Sequence, residues 1–362
     1  MRLCPKSDGG EWLSQFVSLH GSGRAAVYWA FRGLGLPPGT TAWTPSYHCG
    51  VEVSAAMDAG YTVNFYDIAR DLTVDEDDLR RRIASGPGPV LLVHYFGFPQ
   101  PRIKQIAELC MRCGCTLIED CAHALFSSDQ AGHALGSTAP VAIHSLRKSL
   151  PLVDGGALSI AGPHTSAVMN RFAADAWRAY WKAGVRMAVG ARLTSLYRTL
   201  RWGRGDSSEP DATQQVRQES YRAPMSWLSR RIAAAADPSA IVAKRRRNYH
   251  SLNQLLASLP EYRPVWPVLP AGTCPLFLPV RVTGRTEIMR RLASRGVEGF
   301  RFGASSPHFV DPKRFPHTAA LRDSILGLPI HQDLGLDELE YIALAFREAT
   351  ALDGRCCAVQ TR

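Results

Sequence analysis

Long hydrophobic runs are missing from this 362-residue chain. No stretch of eighteen uncharged apolar residues occurs, which excludes an ordinary bilayer-spanning helix. The opening Met1-Arg2-Leu3-Cys4-Pro5-Lys6-Ser7-Asp8 also lacks the apolar core of a secretory signal. Cysteine is sparse. Its nine copies, an odd number spread along the chain, argue against a disulfide framework and for a reducing, cytoplasmic setting. Lysine is scarcer still, with six among 42 basic residues: Lys6, Lys104, Lys148, Lys182, Lys244 and Lys313. In so arginine-rich a chain each lysine is a candidate amine, because lysine gives up its proton far more readily than arginine.

What is present suits a globular enzyme. Hydrophobic residues make up 46% and charged residues 20%, enough for a sizeable core, and the length suggests two or three domains, or one large domain with a smaller one attached. The net charge of +10 is unevenly placed: Arg171–Gly205 carries eight basic residues against one acid, Asp175. Such concentration marks a local feature and not a nucleic-acid surface. Within it Trp177, Tyr180, Trp181, Val185, Val189, Leu193, Leu196, Tyr197 and Leu200 recur at spacings of three and four beside Arg178, Lys182 and Arg186. This predicts a basic amphipathic helix over 177–200, packed on its own domain or a second copy, or lying on a membrane surface. Lys244-Arg245-Arg246-Arg247 reads as a solvated helix face.

Up to residue 160 helical and strand-like patterns alternate, as a parallel α/β sheet requires. Helices are predicted at Arg24–Leu36, Val51–Ala59, Asp75–Ile83 and Arg102–Cys113. Strands are predicted at Thr41–Pro45, Val63–Tyr66, Pro89–His94 and Cys115–Ile118. Gly203–Gln218 is polar and reads as a loop. A second unit begins with a long helix from Pro238 to Leu256, then a strand at Pro275–Val282 and helices at Arg285–Arg295 and Leu336–Thr350. The divisions expected are an arm over 1–20, a large domain over 21–235 with an insertion at 171–215, a small domain over 236–352, and a frayed tail over 353–362.

Three stretches of the first half carry chemistry. Gly21-Ser22-Gly23-Arg24-Ala25-Ala26 leads into a helix, whose free N–H groups suit an anion such as phosphate. Leu117-Ile118-Glu119-Asp120-Cys121-Ala122-His123 ends an apolar strand in carboxylates. Asp120 is either a helix cap or a partner for a protonated heterocyclic nitrogen. Ala142-Ile143-His144-Ser145-Leu146-Arg147-Lys148 brings a lysine just past a strand and before Gly155-Gly156. There an amine can form a Schiff base with an aldehyde. Cys110-x2-Cys113-x-Cys115 has no second Cys/His pair at a zinc-ligand distance, so core thiols and no metal are expected, and His94 and His133 read as structural.

In this order, with Pro45-Ser46-Tyr47-His48-Cys49 and Leu328-Pro329-Ile330-His331-Gln332, these motifs resemble the DegT/DnrJ/EryC1/StrS aminotransferases over roughly residues 20–160 and 225–350. The resemblance implies a pyridoxal phosphate transferase fold of type I: a large, mostly parallel seven-stranded sheet flanked by helices, with a smaller C-terminal α/β domain. It implies pyridoxal 5′-phosphate as cofactor and a homodimer with active sites at the subunit interface. The implied reaction moves an amino group from glutamate or glutamine to a keto sugar, nucleotide-linked, in polysaccharide or natural-product synthesis. Lys148 matches the lysine that binds the cofactor and moves the proton, and Asp120 matches the carboxylate on the ring nitrogen. Gly23, Arg24, Ala25 and Ser145 match the phosphate site, and His123 stands where the family has Gln or His beside the cofactor.

Three positions depart from the pattern. Ser145 precedes Lys148 by three residues where the family has about five. Cys49 occupies the position of a stacking aromatic, leaving Tyr47 or His48 to substitute. Ser220-Tyr221-Arg222 replaces Asn-Tyr-Arg, leaving Arg222 to reach the partner subunit's phosphate. A lyase, a transaminase for a lipid-linked ketone, and a non-catalytic binding relative remain as alternatives.

Overall fold

The computed structural model describes residues 11–160, 221–303 and 310–351. The predicted helix over 177–200, the rest of the 171–215 insertion, and Ser220 lie outside the described residues. Among the described residues no helix is long and apolar enough to cross a membrane.

The N-terminal half forms one seven-stranded sheet: β1 (Ser18–His20), β2 (Thr41–Pro45), β3 (Thr62–Tyr66), β4 (Pro89–Val93), β5 (Thr116–Asp120), β6 (Val141–His144) and β7 (Gly156–Ile160). Their order is β1-β7-β6-β5-β4-β2-β3. Strands β2 to β6 run parallel, while β7 runs antiparallel to β6 and β1 antiparallel to β7. Strand β4, Pro-Val-Leu-Leu-Val, is buried at every position because both sheet faces are covered. Leu91 joins Ala26, Ala30 and Phe31 of helix α1 (Gly23–Gly33) on one face. Leu92, pointing the other way, joins Ile106 and Leu109 of helix α4 (Ile103–Arg112).

Local chemistry sets the ends of α1. Ser22 caps it, its Oγ accepting the Ala25 N–H at 3.1 Å, an interaction worth about 1 kcal/mol. The helix stops at Gly33, short of the predicted Leu36, and Gly35 takes left-handed backbone at φ +66°. Helices α2 (Val51–Asp58) and α3 (Glu76–Ala84) follow β2 and β3. Helix α5 (Leu146–Ser149) is a single turn between β6 and β7.

After the sheet comes α6 (Trp227–Ala234), whose Ala233 clusters with Phe16, Leu146 and Ala157, and then α7 (Pro238–Leu256), α8 (Arg285–Ser294), α9 (Pro316–Ser324) and α10 (Leu336–Thr350), with the antiparallel pair β8 (Phe277–Arg281) and β9 (Ile325–Pro329). Leu278, Leu326, Tyr249, Leu252, Ile342 and Phe346 share one apolar cluster with Leu92 and Leu117 of the large sheet. The run Lys244–Arg247 is not a solvated face throughout. Arg245 is 3% exposed and donates to Gln332 Oε1 at 2.8 Å, to the carbonyls of Pro275 and Leu276 at 3.3 Å, and to that of Ser149 at 3.4 Å. The pattern misleads because a guanidinium buried among carbonyls meets its hydrogen-bonding demand there.

Candidate active site

Strands β4, β5 and β6 end side by side, the Val93–Asp120–Ile143 register bringing their carboxyl termini to one edge. Ligands of open α/β sheets bind at this edge. Asp120 is the last residue of β5 and caps no helix; its Oδ1 accepts the Ala122 N–H at 2.8 Å. Burial, reinforced by the Glu52 carboxylate, pushes its carboxyl up to about 7, against the pull of the Ala122 N–H and Lys148. Glu119 beside it is already saturated. It takes hydrogen bonds from His94 Nε2 at 2.9 Å and from the N–H groups of Gly136, Thr138 and Ala139 at 2.8, 2.9 and 2.6 Å. Burial works to raise Glu119, but His94 and these donors outweigh it and hold the carboxyl below its ordinary value.

Glu119, His94 and Cys121 bring their donor atoms within 4.8 Å of one another, a spacing compatible with a metal. The Gln100 N–H donates to His94 Nδ1 at 3.0 Å, which assigns the ring proton to Nε2, facing Glu119. The cluster therefore works as a hydrogen-bonded lock that fixes the end of β5.

Lys148 is exposed and leaves the one-turn α5, its Nζ 2.8 Å from His123 Nε2. The Phe96 N–H donates to His123 Nδ1 at 3.2 Å, so the neutral ring carries its proton on Nε2 and presents it to Nζ. That arrangement suits an amine lone pair, the form that attacks a carbonyl. Burial, with Lys148 beside it, keeps the imidazole well below its usual value and so uncharged. Phe96 aims its N–H this way from a left-handed backbone, φ +56°, and its ring lies nearly parallel to His123 with centroids 5.7 Å apart. A positive φ is uncommon for a bulky residue and marks strain held by the surroundings.

The glycine turn and Ser145 form a cradle. A Cβ built on Gly23 would lie 3.1 Å from Ser145 Cβ and 3.2 Å from its Oγ. One on Gly156 would lie 2.1 Å from the Ser22 carbonyl, so only glycine lets β7 pass so close to the turn. The first-turn N–H groups of α1, at Gly23, Arg24 and Ala25, therefore open beside a buried serine hydroxyl. The Ala25 N–H is taken by the Ser22 cap. The short spacing from Ser145 to Lys148 follows from the geometry, since a single helical turn separates the cradle from the amine. These donors suit a phosphate, and Lys148 and Asp120 suit an aldehyde and a protonated ring nitrogen.

The other expected residues divide. Tyr47 is buried against Tyr95 and Phe302, and Phe302 meets His123 at 5.1 Å between centroids, so Tyr47 reaches the site through one intermediary. His48 lies instead against Phe65 of β3, rings parallel at 5.2 Å, with Nδ1 accepting the Gly50 N–H. Arg222 is exposed, next to Tyr221, which stacks on Tyr28 at 4.2 Å and donates its hydroxyl to Asp58. Sequence reasoning missed Phe96, Arg245 and Glu52. Of these only Glu52, a lone acid among small apolar residues in Val-Glu-Val-Ser-Ala-Ala, left a signal. A shallow 720 Å³ cleft lined by Leu125, Phe126, Ser128, Val242 and Arg246 contains none of the expected site residues. Its one charged group, Arg246, already serves the Pro270 and Thr273 carbonyls.

Solved structures share this architecture. The S. venezuelae protein DesV superposes with a TM-score of 0.67 at 20% identity, over 97% of this chain and 91% of that one. Helicobacter pylori PseC, an aminotransferase involved in the biosynthesis of pseudoaminic acid, gives 0.71 at 14% identity, over 95% and 92%. In sequence, a dTDP-4-dehydro-2,3,6-trideoxy-D-glucose 4-aminotransferase of Saccharopolyspora spinosa is 34% identical over 155 residues, 42% of this chain and 40% of that protein. A UDP-4-amino-4,6-dideoxy-N-acetyl-beta-L-altrosamine transaminase of Campylobacter jejuni is 30% identical over 141 residues, 38% and 37%. The chain thus spans about two fifths of the length of the curated relatives it matches. The model of one family matches residues 14–197, a span that takes in the glycine turn, Asp120, His123 and Lys148 together. By that match the chain belongs to the DegT/DnrJ/EryC1/StrS aminotransferase family.

Proposed function

We propose that this chain is a pyridoxal 5′-phosphate-dependent aminotransferase that moves an amino group from an amino acid, glutamate or glutamine, to a nucleotide-linked keto sugar in polysaccharide or natural-product biosynthesis. The observation that carries the reading is Lys148 Nζ held 2.8 Å from a neutral His123, with the buried Asp120 and the Gly23–Ser145 cradle at the same sheet edge. The names of the matched relatives, acting on dTDP- and UDP-linked sugars, support the substrate class.

When bound, pyridoxal phosphate supplies an aldehyde and a protonated ring that withdraws electrons from the carbon next to the amine. The chain's residues do the rest. The Gly23 and Arg24 N–H groups and the Ser145 hydroxyl would hold the phosphate, Asp120 would keep a proton on the ring nitrogen, and His123 orients Nζ of Lys148. Lys148 would hold the cofactor's aldehyde through Nζ and, when freed, Nζ would take the proton from the substrate carbon that bears the amine, serving as general base and then as general acid. The exposed Arg222 reaches the phosphate site of a second copy in a homodimer. Free thiols at Cys110, Cys113, Cys115, Cys121 and Cys274 support a cytoplasmic setting.

The test is the visible absorbance of the purified protein given pyridoxal phosphate, wild type beside Lys148→Ala, with and without L-glutamate. The expected result is a band that glutamate bleaches and that the variant lacks. No band in the wild type would overturn the reading. A band that glutamate and glutamine both leave unmoved would keep the cofactor and turn the assignment to a lyase.

A further inference from the structure

We propose that Glu52 acts with Asp120 as a second carboxylate at the ring-nitrogen end of the cofactor site, a positioning residue that selects a protonated, cationic heterocycle over a neutral ring. The inference rests on the pyridoxal phosphate reading and adds to it a residue outside the expected site.

Glu52 stands in the first turn of α2 and is 4% exposed, as is Asp120. Helix α2 starts where the chain leaves the carboxyl end of β2, and Asp120 ends β5, so both acids lie at the same sheet edge. The Glu52 carboxylate accepts the Cys49 thiol at 2.8 Å and the Cys49 N–H at 3.4 Å. A thiol is a weak donor, and among the described residues no arginine or lysine forms an ion pair with Glu52. A carboxylate so buried and so weakly partnered is costly unless a cation arrives. Both acids act on the Tyr95 hydroxyl, and Glu52 acts on Asp120 directly.

The groups facing the pair are Cys49, Tyr95, Cys121 and Lys148. Lys148 is the one basic group among them, and its Nζ is engaged by His123. The edge therefore holds two acids against one amine. A ring nitrogen that carries its proton to Asp120 supplies the missing positive charge, whereas a ring with C–H in that place leaves the surplus unmatched. Asp120 ionises as pH rises through about 7, so the demand for a cation grows from pH 6 to pH 8. The Glu52 charge adds to the rise that burial gives Asp120, so without it Asp120 ionises at lower pH and the growth between pH 6 and pH 8 shrinks.

The test is calorimetric titration of cofactor-free protein with pyridoxamine 5′-phosphate, which cannot bond covalently to Lys148, and with its analogue bearing C–H for the ring nitrogen. Wild type, Glu52→Gln and Glu52→Met are compared at pH 6 and pH 8. The wild type is expected to prefer the pyridine, more strongly at pH 8. The variants are expected to lose about tenfold of that preference at pH 8, ~1.4 kcal/mol, and to change less than the wild type between pH 6 and pH 8. A purely structural role would weaken both ligands alike. The same preference in wild type and in whichever variant folds would overturn the inference while leaving the cofactor assignment intact. Failure of the wild type to bind either ligand would instead overturn the cofactor assignment on which the inference depends.

Discussion

Asp120 makes the cofactor-free protein sensitive to pH in an unusual direction. Its folded value of about 7 lies above the ordinary value of 3.8, so between those limits the folded chain binds a proton that the unfolded chain has released. That contribution is complete below about pH 4 and is lost as pH rises through 7. Asparagine keeps the shape without the titration. Asp120→Asn is therefore expected to gain stability over the wild type from pH 5 to pH 8, by on the order of 2 kcal/mol in denaturant unfolding of cofactor-free protein. Equal differences at both pH values would refute this origin. Gly23 tests the cradle separately. Alanine there needs its neighbour at 3.1 Å to yield by a few tenths of an ångström. Gly23→Ala is expected to fold but to bind phosphate-bearing ligand about tenfold more weakly, ~1.4 kcal/mol, as read by calorimetry. Unchanged affinity would remove Gly23 from the phosphate site.

Helix α7 does more than cover the small sheet, because Arg245 ties it to the last carbonyl of α5, the turn that carries Lys148. Arg245→Met fills much of the volume but leaves the Ser149, Pro275 and Leu276 carbonyls and Gln332 short of a donor. A loss of about 2–4 kcal/mol is expected in denaturant unfolding. A change within ~0.5 kcal/mol would mean these carbonyls find water. The sequence hid this tie because a charge run on a helix looks the same whether its arginines face solvent or carbonyls. Other elements were legible: α7 and α10 run over the expected Pro238–Leu256 and Leu336–Thr350. Strand β1 was not, since three residues are too few to show a period. The meeting of Lys148, His123, Asp120 and the glycine turn was readable from motif order. Phe96 and Glu52 were not assigned there, because a positive φ and a buried acid pair arise only when distant segments meet.

A homodimer with shared sites makes a prediction that no single chain can satisfy. If Arg222 serves the partner's site, mixing Lys148→Ala with Arg222→Ala chains yields heterodimers with one site that is intact at both positions. Each variant alone is expected to be nearly inactive, and unfolding and refolding them together should restore a sizeable fraction of transamination. No recovery, with heterodimers shown by mass, would place Arg222 outside the partner's site. Lys148 itself packs against little. It is exposed, its side chain meets His123, and its turn is held by the Gly155 carbonyl on Leu146 and by Arg245 on Ser149. Folding is thus nearly indifferent to the residue proposed to carry turnover. A descendant could lose the amine in one substitution and pass on an unaltered scaffold, so selection for chemistry and selection for foldedness act on separate residues. The same indifference leaves the scaffold open to reuse as a binding protein.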